Sequence, residues 1–258
     1  MRSNDRFVFL VLLVVGFIIL PLVPRASGDD APPAPSGYKE TGLDYYIKGE
    51  YSNAAEALEK ALAEDPKGFT LYETLALCYR GMKDTTRAIY YMHEAVEKNP
   101  GKVSLKATLG QLYFLNEEYD KAVVYFEEAL QQDPGQSDLY AMAGYSYVNL
   151  EQHDRAVTYL AKAVELNPQD APLNSALGNS YLALEDDKNA IKYLEQSVTI
   201  DPAQPGVFVS LGTAYIALKD FDKAKERLAQ AQEIFTKDGN TDGLNQVEEL
   251  LKVLGEVS

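Results

Sequence analysis

The side chains of this chain that could do chemistry are two histidines, one cysteine and a surplus of carboxylates. His93 and His153 could carry protons or ligate a metal, Cys78 could act as a nucleophile, and paired Asp and Glu could serve as acid and base. Each of these roles needs partners at fixed spacing. Neither histidine has a cysteine or a second histidine at metal-binding spacing. The single cysteine excludes an internal disulfide. No glycine-rich phosphate loop follows a strand, because no strand is expected. The reading is of a chain that is not an enzyme, with no catalytic residue, cofactor or metal.

What would position any functional side chain is a 34-residue unit, cleanest from Val103 to Gln136, VSLKATLGQLYFLNEEYDKAVVYFEEALQQDPGQ. It recurs without insertion. Proline closes five copies (Pro66, Pro100, Pro134, Pro168, Pro202), each preceded by Asp or Asn. A tyrosine holds the same step in all six (Tyr45, Tyr79, Tyr113, Tyr147, Tyr181, Tyr215), and so does an alanine (Ala54, Ala88, Ala122, Ala156, Ala190, Ala224). Three registers with one period over most of the chain identify a repeat array.

Inside one copy the apolar residues have helical spacing twice: Leu105, Leu109, Leu112 and Tyr113, then Ala122, Val123, Phe126, Ala129 and Leu130. Each copy is therefore expected to be a helical hairpin. Ser52, Thr86, Asp120, Asp154 and Asp222 share one register between the two halves and are expected to cap the second helix, with Lys188 the exception. The Asp-Pro or Asn-Pro pair is expected to stop that helix, since the residue before proline is pushed out of the helical region. His153 shares its register with Tyr51, Tyr119 and Phe221 and reads as a substitute aromatic in the inter-helix turn. His93 shares a register with Glu59, Glu127 and Glu195 and reads as part of a solvated face. Cys78 aligns with Asp44, Leu112, Ser146, Ser180 and Ala214 and reads as a small buried residue.

With these registers the chain resembles the tetratricopeptide repeat (TPR) family. Counted from residues 35, 69, 103, 137, 171 and 205, the family's small residue at position 8 is Gly42, Ala76, Gly110, Gly144, Gly178 and Gly212. Position 11 is the tyrosine, position 20 the alanine, and position 27 is Ala61, Ala95, Ala129, Ala163, Ser197 and Ala231. Position 32 is the proline, replaced in the last copy by Thr236. The resemblance implies an all-α fold, an α-solenoid forming a right-handed superhelix of TPR hairpins. The organisation expected is six repeats over 35–68, 69–102, 103–136, 137–170, 171–204 and 205–238, then a capping helix over 239–258. In the cap, Leu244, Val247, Leu250, Leu251 and Leu254 make an apolar stripe that covers the last open interface.

The resemblance also implies a concave groove lined by the first helix of each hairpin, at positions 2, 5, 9, 12 and 13. Carried over, the partner-binding candidates are Leu43, Tyr46 and Ile47; Leu77 and Arg80; Gln111, Phe114 and Leu115; Tyr145, Val148 and Asn149; Asn179 and Leu182; Thr213 and Ile216. Of the 30 groove positions only Lys39, Glu73, Arg80 and Asp138 are charged, and they cancel. Such a groove departs from the basic, asparagine-bearing clamp by which chaperone-adaptor members hold a C-terminal carboxylate. The expected function is a protein-protein interaction scaffold or assembly factor of the cell envelope that takes an apolar or amphipathic segment of a partner. The alternative is a self-associating structural component. Phe114 and Tyr145 are expected to be groove residues whose replacement by Glu abolishes capture and leaves helicity intact.

The formal charge is -15; residues 1–28 carry Arg2, Arg6 and Arg25 against Asp5, so the remainder carries -17. That excess excludes nucleic acid, whose phosphates need Lys and Arg. Residues 7–23 (FVFLVLLVVGFIILPLV) form an uncharged run that would span about 25 Å as a helix. Behind Arg2 and Arg6, and before Ala26-Ser27-Gly28, it reads as an N-terminal hydrophobic helix over 1–28, either a signal peptide cleaved near Gly28 or a retained transmembrane anchor. Both readings put the repeats on the non-cytoplasmic, periplasmic side, with a membrane contact through residues 7–23 if the segment is kept. A proline-rich linker, 29–37, follows.

Overall fold

The computed structural model describes residues 37–257. Among these are thirteen α-helices and no strand, in two compact units divided between Pro134 and Gly135. The expected segment over 1–28 and nearly all of the linker lie outside the described residues. Among the described residues no helix is long and apolar enough to cross a membrane.

The first unit holds three hairpins: α1 (Tyr38–Ile47) with α2 (Tyr51–Glu64), α3 (Phe69–Gly81) with α4 (Thr85–Lys98), and α5 (Val103–Leu115) with α6 (Tyr119–Gln132). The second unit holds α7 (Ser137–Asn149) with α8 (His153–Leu166), α9 (Ala171–Ala183) with α10 (Asp187–Ile200), and α11 (Pro205–Ala217) with α12 (Phe221–Asp238), closed by α13 (Thr241–Val257). Within each unit the second helix of a hairpin packs on the first helix of the next. This is the all-α solenoid of tandem hairpins that the 34-residue period implies.

Small residues set the helix contacts. The position-20 alanines are fully buried in all six repeats, and position 27 is closed to within a few per cent. At position 8, a Cβ added to Gly144 would lie 2.6 Å from Leu160 Cγ, and one added to Gly42, Gly178 or Gly212 would meet Leu58, Leu194 or Leu228 just as closely. Only the second repeat has alanine there, Ala76, and only there is the facing residue an unbranched methionine, Met92. Glycine faces a branched or aromatic side chain, and alanine faces a side chain that can bend away.

The second helices end as the sequence implies. Asp65, Asn99, Asp133, Asn167 and Asp201 all leave the helical region one residue before the proline. Where Thr236 replaces proline, α12 has 18 residues instead of 14 and runs to a left-handed Gly239, φ 68°. Lys237 and Asp238 therefore still belong to α12.

The caps lie elsewhere than expected. The N-cap of each second helix is position 16, two residues before the expected register: Glu50, Asp84, Glu118, Gln152, Asp186 and Asp220. Asp84 accepts from Arg87 N at 3.0 Å and Asp186 from Asn189 N at 3.2 Å. The turn is the reason. Position 15 is left-handed in every repeat, and the position-16 amide donates back to the position-11 carbonyl, as Gln152 N does to Tyr147 O at 2.9 Å. The chain re-enters a helix at once, so Ser52, Thr86, Asp120, Asp154 and Asp222 fall in its first turn, and His153 is its first helical residue rather than a turn residue.

Five of those six left-handed positions hold non-glycine residues: Lys83, Glu117, Glu151, Glu185 and Lys219. A left-handed L-residue is strained relative to glycine. Glu151→Gly is therefore expected to stabilise the chain by about 0.5–1 kcal/mol, read as a higher midpoint in thermal melting; a lower midpoint would contradict the turn assignment.

Candidate functional site

In the first unit, α1 and α3 lie side by side and carry Leu43, Tyr46, Leu77 and Arg80, all half-buried, with Ile47 68% exposed at the edge. The Tyr46 ring sits 6.1 Å from that of Tyr51. Burial raises the Tyr46 phenol above its ordinary value, and the nearby Arg80 charge opposes the rise. On α5, Gln111 is half-buried and Leu115 is 48% exposed. Glu73 does not present a bare charge, because Lys102 Nζ lies 2.7 and 2.9 Å from its two oxygens.

Phe114 is a correction. Only 6% of it is exposed, and its ring meets Tyr119 edge-on at 5.4 Å, so it belongs to the core of its own hairpin. A glutamate at 114 would test folding rather than capture. The hydroxyl of Tyr145 is likewise covered, although the residue as a whole is half-buried.

In the second unit, α7, α9 and α11 lie side by side and build two parallel rows. Val148, Leu182 and Ile216, all at position 12 and all half-buried, form an apolar row. Tyr145, Asn179 and Thr213 at position 9 form a polar one, with a phenol, an amide and a hydroxyl. Thr213 Oγ1 donates to Val209 O at 3.1 Å, one turn back. Asn149 Nδ2 donates to Tyr145 O at 2.8 Å. The floor between the rows is small or apolar and closed: Ala141, Ser175 and Val209 are buried. Of the groove positions in this unit only Asp138 is charged. Such a surface can hold an extended or helical segment by apolar contact and a few hydrogen bonds.

The residues with chemical potential are elsewhere. Cys78 is fully buried, and burial pushes its thiol up to about 11. In the folded chain at pH 8 it should be inert to a thiol-specific reagent and react only after denaturant is added; ready labelling of the folded protein would contradict its burial. His93 lies 3.5 Å from Glu97 on an exposed face. Among the described residues no group of three or more His, Cys, Asp or Glu could hold a metal ion.

Sequence reasoning missed one set of polar residues. Glu59 and Glu195, read as a solvated face, clamp the next repeat. Glu59 Oε1 accepts from Tyr79 Oη and, at 3.0 Å, from Tyr91 Oη. Glu195 Oε1 accepts from Tyr215 Oη and Arg227 Nε, both at 3.1 Å. Burial first, and then the glutamate, pushes Tyr79 and Tyr215 up to about 12. The position-11 tyrosine also stacks on position 23 of its own hairpin: Tyr79 on Tyr91 at 5.3 Å, Tyr113 on Tyr125 at 5.5 Å, Tyr181 on Tyr193 at 5.7 Å. The second tyrosine's 34-residue step was the available signal.

Family models for the tetratricopeptide repeat match residues 40–103 and 84–137, and again 114–180 and 181–241. No curated protein matches the chain. Among solved structures, YrrB, described as a TPR protein with an unusual peptide-binding site, is 26% identical over 76% of this chain and 100% of its own, with a TM-score of 0.67. The C-terminal part of a TPR repeat-containing protein from Cytophaga hutchinsonii is 18% identical over 84% of this chain and 88% of its own, TM-score 0.71. MamA is 22% identical over 62% of this chain and 94% of its own, TM-score 0.60. The last two bear on the fold alone. With matches running from residue 40 to residue 241 and the same hairpin in each repeat, the chain belongs to the tetratricopeptide repeat family.

Proposed function

We propose that this protein is a non-catalytic scaffold that captures an apolar or amphipathic segment of another protein on the inner face of its first helices. The observation that carries the reading is the pair of rows in the second unit, Val148, Leu182 and Ile216 beside Tyr145, Asn179 and Thr213, with a single charge among the groove positions. A half-buried apolar row beside a polar one suits a peptide whose side chains need cover and whose backbone needs partners. The peptide-binding site ascribed to YrrB supports the same use of the fold.

The proposal extends to place. Arg2 and Arg6 before the uncharged run of residues 7–23, with small residues at 26–28, support export to the cell envelope, with the repeats on the periplasmic side and the segment either cleaved or kept as an anchor. There the protein would act as an assembly factor for a partner complex.

The test is capture from intact membranes by the full chain and by Leu182→Asp with Ile216→Asp. Both positions are half-buried at the margin of the second unit's core, so the melting temperature is expected to fall while helical circular dichroism persists below the melt and partner recovery there drops about tenfold or more. Equal recovery by both proteins would contradict the groove.

A further inference from the structure

Position 12 of the six first helices holds Tyr46, Arg80, Phe114, Val148, Leu182 and Ile216. Five are aromatic or aliphatic, and the sixth, on α3, is a guanidinium. Arg80 is half-buried. A cation drawn part-way out of water costs free energy unless a carboxylate answers it.

No carboxylate of the chain does. Asp44 is taken by Lys48 at 2.8 Å, Asp84 by Arg87 at 2.6 Å, and Glu73, two turns back along α3, by Lys102 at 2.7 and 2.9 Å. Among the described residues the Arg80 side chain makes no ion pair and no hydrogen bond. Its guanidinium nitrogens are nonetheless not fully covered, so a ligand can reach them. With Glu73 neutralised, the charges without an ion pair at the groove positions of the first unit are Lys39 and Arg80, both positive in a chain of formal charge -15. An acidic group is drawn to this face where most of the surface repels it.

Apolar cover adjoins the cation. Gly81 is the one glycine at position 13, and the Tyr51 ring of the preceding hairpin lies on it: a Cβ added there would stand 2.5 Å from Tyr51 Cδ2. The Tyr46 ring lies 6.1 Å from that of Tyr51, so two aromatic rings of the first hairpin reach the end of α3 that carries Arg80. The Arg80 charge opposes the burial-driven rise of the Tyr46 phenol, in keeping with that placement. One turn back on α3 is Leu77, half-buried.

We propose that Arg80 is a subsite for an aspartate or glutamate side chain of the captured segment, with Leu77, Tyr46 and Ile47 covering the apolar residues beside that acid. Two guanidinium N–H groups donate to the two carboxylate oxygens, a pairing that the planar fork of arginine favours over lysine. The segment selected by the first unit is therefore apolar with a carboxylate in it, and a basic residue at that point is rejected.

This inference rests on the groove reading, and the experiment separates the two. A random dodecapeptide library displayed on phage is selected on the full chain in detergent, and enriched peptides are synthesised with free and with amidated C-termini. They are expected to carry Asp or Glu among apolar residues and to bind equally in both forms. Binding is expected to weaken about tenfold for Arg80→Gln, about threefold for Arg80→Lys, and about tenfold when the peptide's acid becomes its amide. Against Arg80→Gln that last change is expected to make no further difference, which assigns the loss to this pair. Arg80→Gln is expected to melt with the unchanged chain, since it breaks no ion pair. Enrichment without an acid, indifference to Arg80→Gln, loss of binding on amidation of the C-terminus, or a lower melting temperature for Arg80→Gln overturns the subsite. The groove reading survives that failure if the enriched peptides lose binding to the chain carrying Leu182→Asp and Ile216→Asp. No enrichment, or binding that ignores both sets of variants, overturns both.

Discussion

Removing residues 241–258 is expected to lower the melting temperature by roughly 10 °C or more and to drive the truncated chain into aggregates. In α13, Val247 and Leu254 are fully buried against Leu228, Phe235 and the other apolar residues of the second unit's core, and Leu244, Leu250 and Leu251 pack at its margin. Burying a Val or Leu side chain contributes about 1.5–3 kcal/mol. Two such residues, three more in part and the uncovered face of α12 together cost on the order of 5 kcal/mol or more. That is a large share of the about 5–15 kcal/mol that holds a domain folded. The opposite face, Asn245, Glu248, Glu249 and Lys252, is polar, so α13 ends the apolar stacking with a wettable surface. A truncated chain that melts at the same temperature and remains monomeric would contradict the capping role.

Gly144→Ala is expected to destabilise the chain by about 2 kcal/mol although alanine is the better helix former by about 1 kcal/mol. The new Cβ would stand 2.6 Å from Leu160 Cγ and 3.2 Å from Leu160 N, and the backbone contact cannot be relieved by a rotamer change. Leu160→Met alone is a near-isosteric swap costing about 1 kcal/mol or less. The double variant copies Ala76 with Met92, a pair that is fully buried in the second repeat, and should be no less stable than Gly144→Ala alone, about 2 kcal/mol of loss instead of the about 3 kcal/mol of strict additivity, a coupling of about 1 kcal/mol. Strict additivity in denaturant unfolding, or a single Gly144→Ala that stabilises, would show that position 8 is not the contact that sets the hairpin spacing.

Much of the fold was legible because the period fixes three registers at once. The tyrosines, the position-20 alanines and the Asn/Asp-Pro stops all sit where the 34-residue step puts them, and Cys78 is as closed as its aligned neighbours imply. The caps were misplaced because a short polar side chain near a turn does not reveal which residue is left-handed. Once position 15 has taken that conformation, the N-cap falls two residues before Ser52, Asp120 or Asp154. Phe114 was misread for a different reason. It shares position 12 with Val148, Leu182 and Ile216 at the border of the buried arc, and the deciding contact is with Tyr119, a residue from another helix. The glutamate clamps escaped because Glu59 meets Tyr79 and Tyr91 one repeat away, a pairing visible only when neighbouring hairpins are stacked.

The most direct test of the scaffold account is site-specific photo-crosslinking in intact cells, with a photoreactive residue at Leu182 in the groove and, separately, at Glu248 on the exposed side of α13, followed by mass spectrometry of the adducts. The account predicts a second polypeptide, different from this chain, attached through position 182 and absent from position 248. No adduct from 182, the same adducts from both positions, or adducts consisting only of another copy of this chain would contradict it.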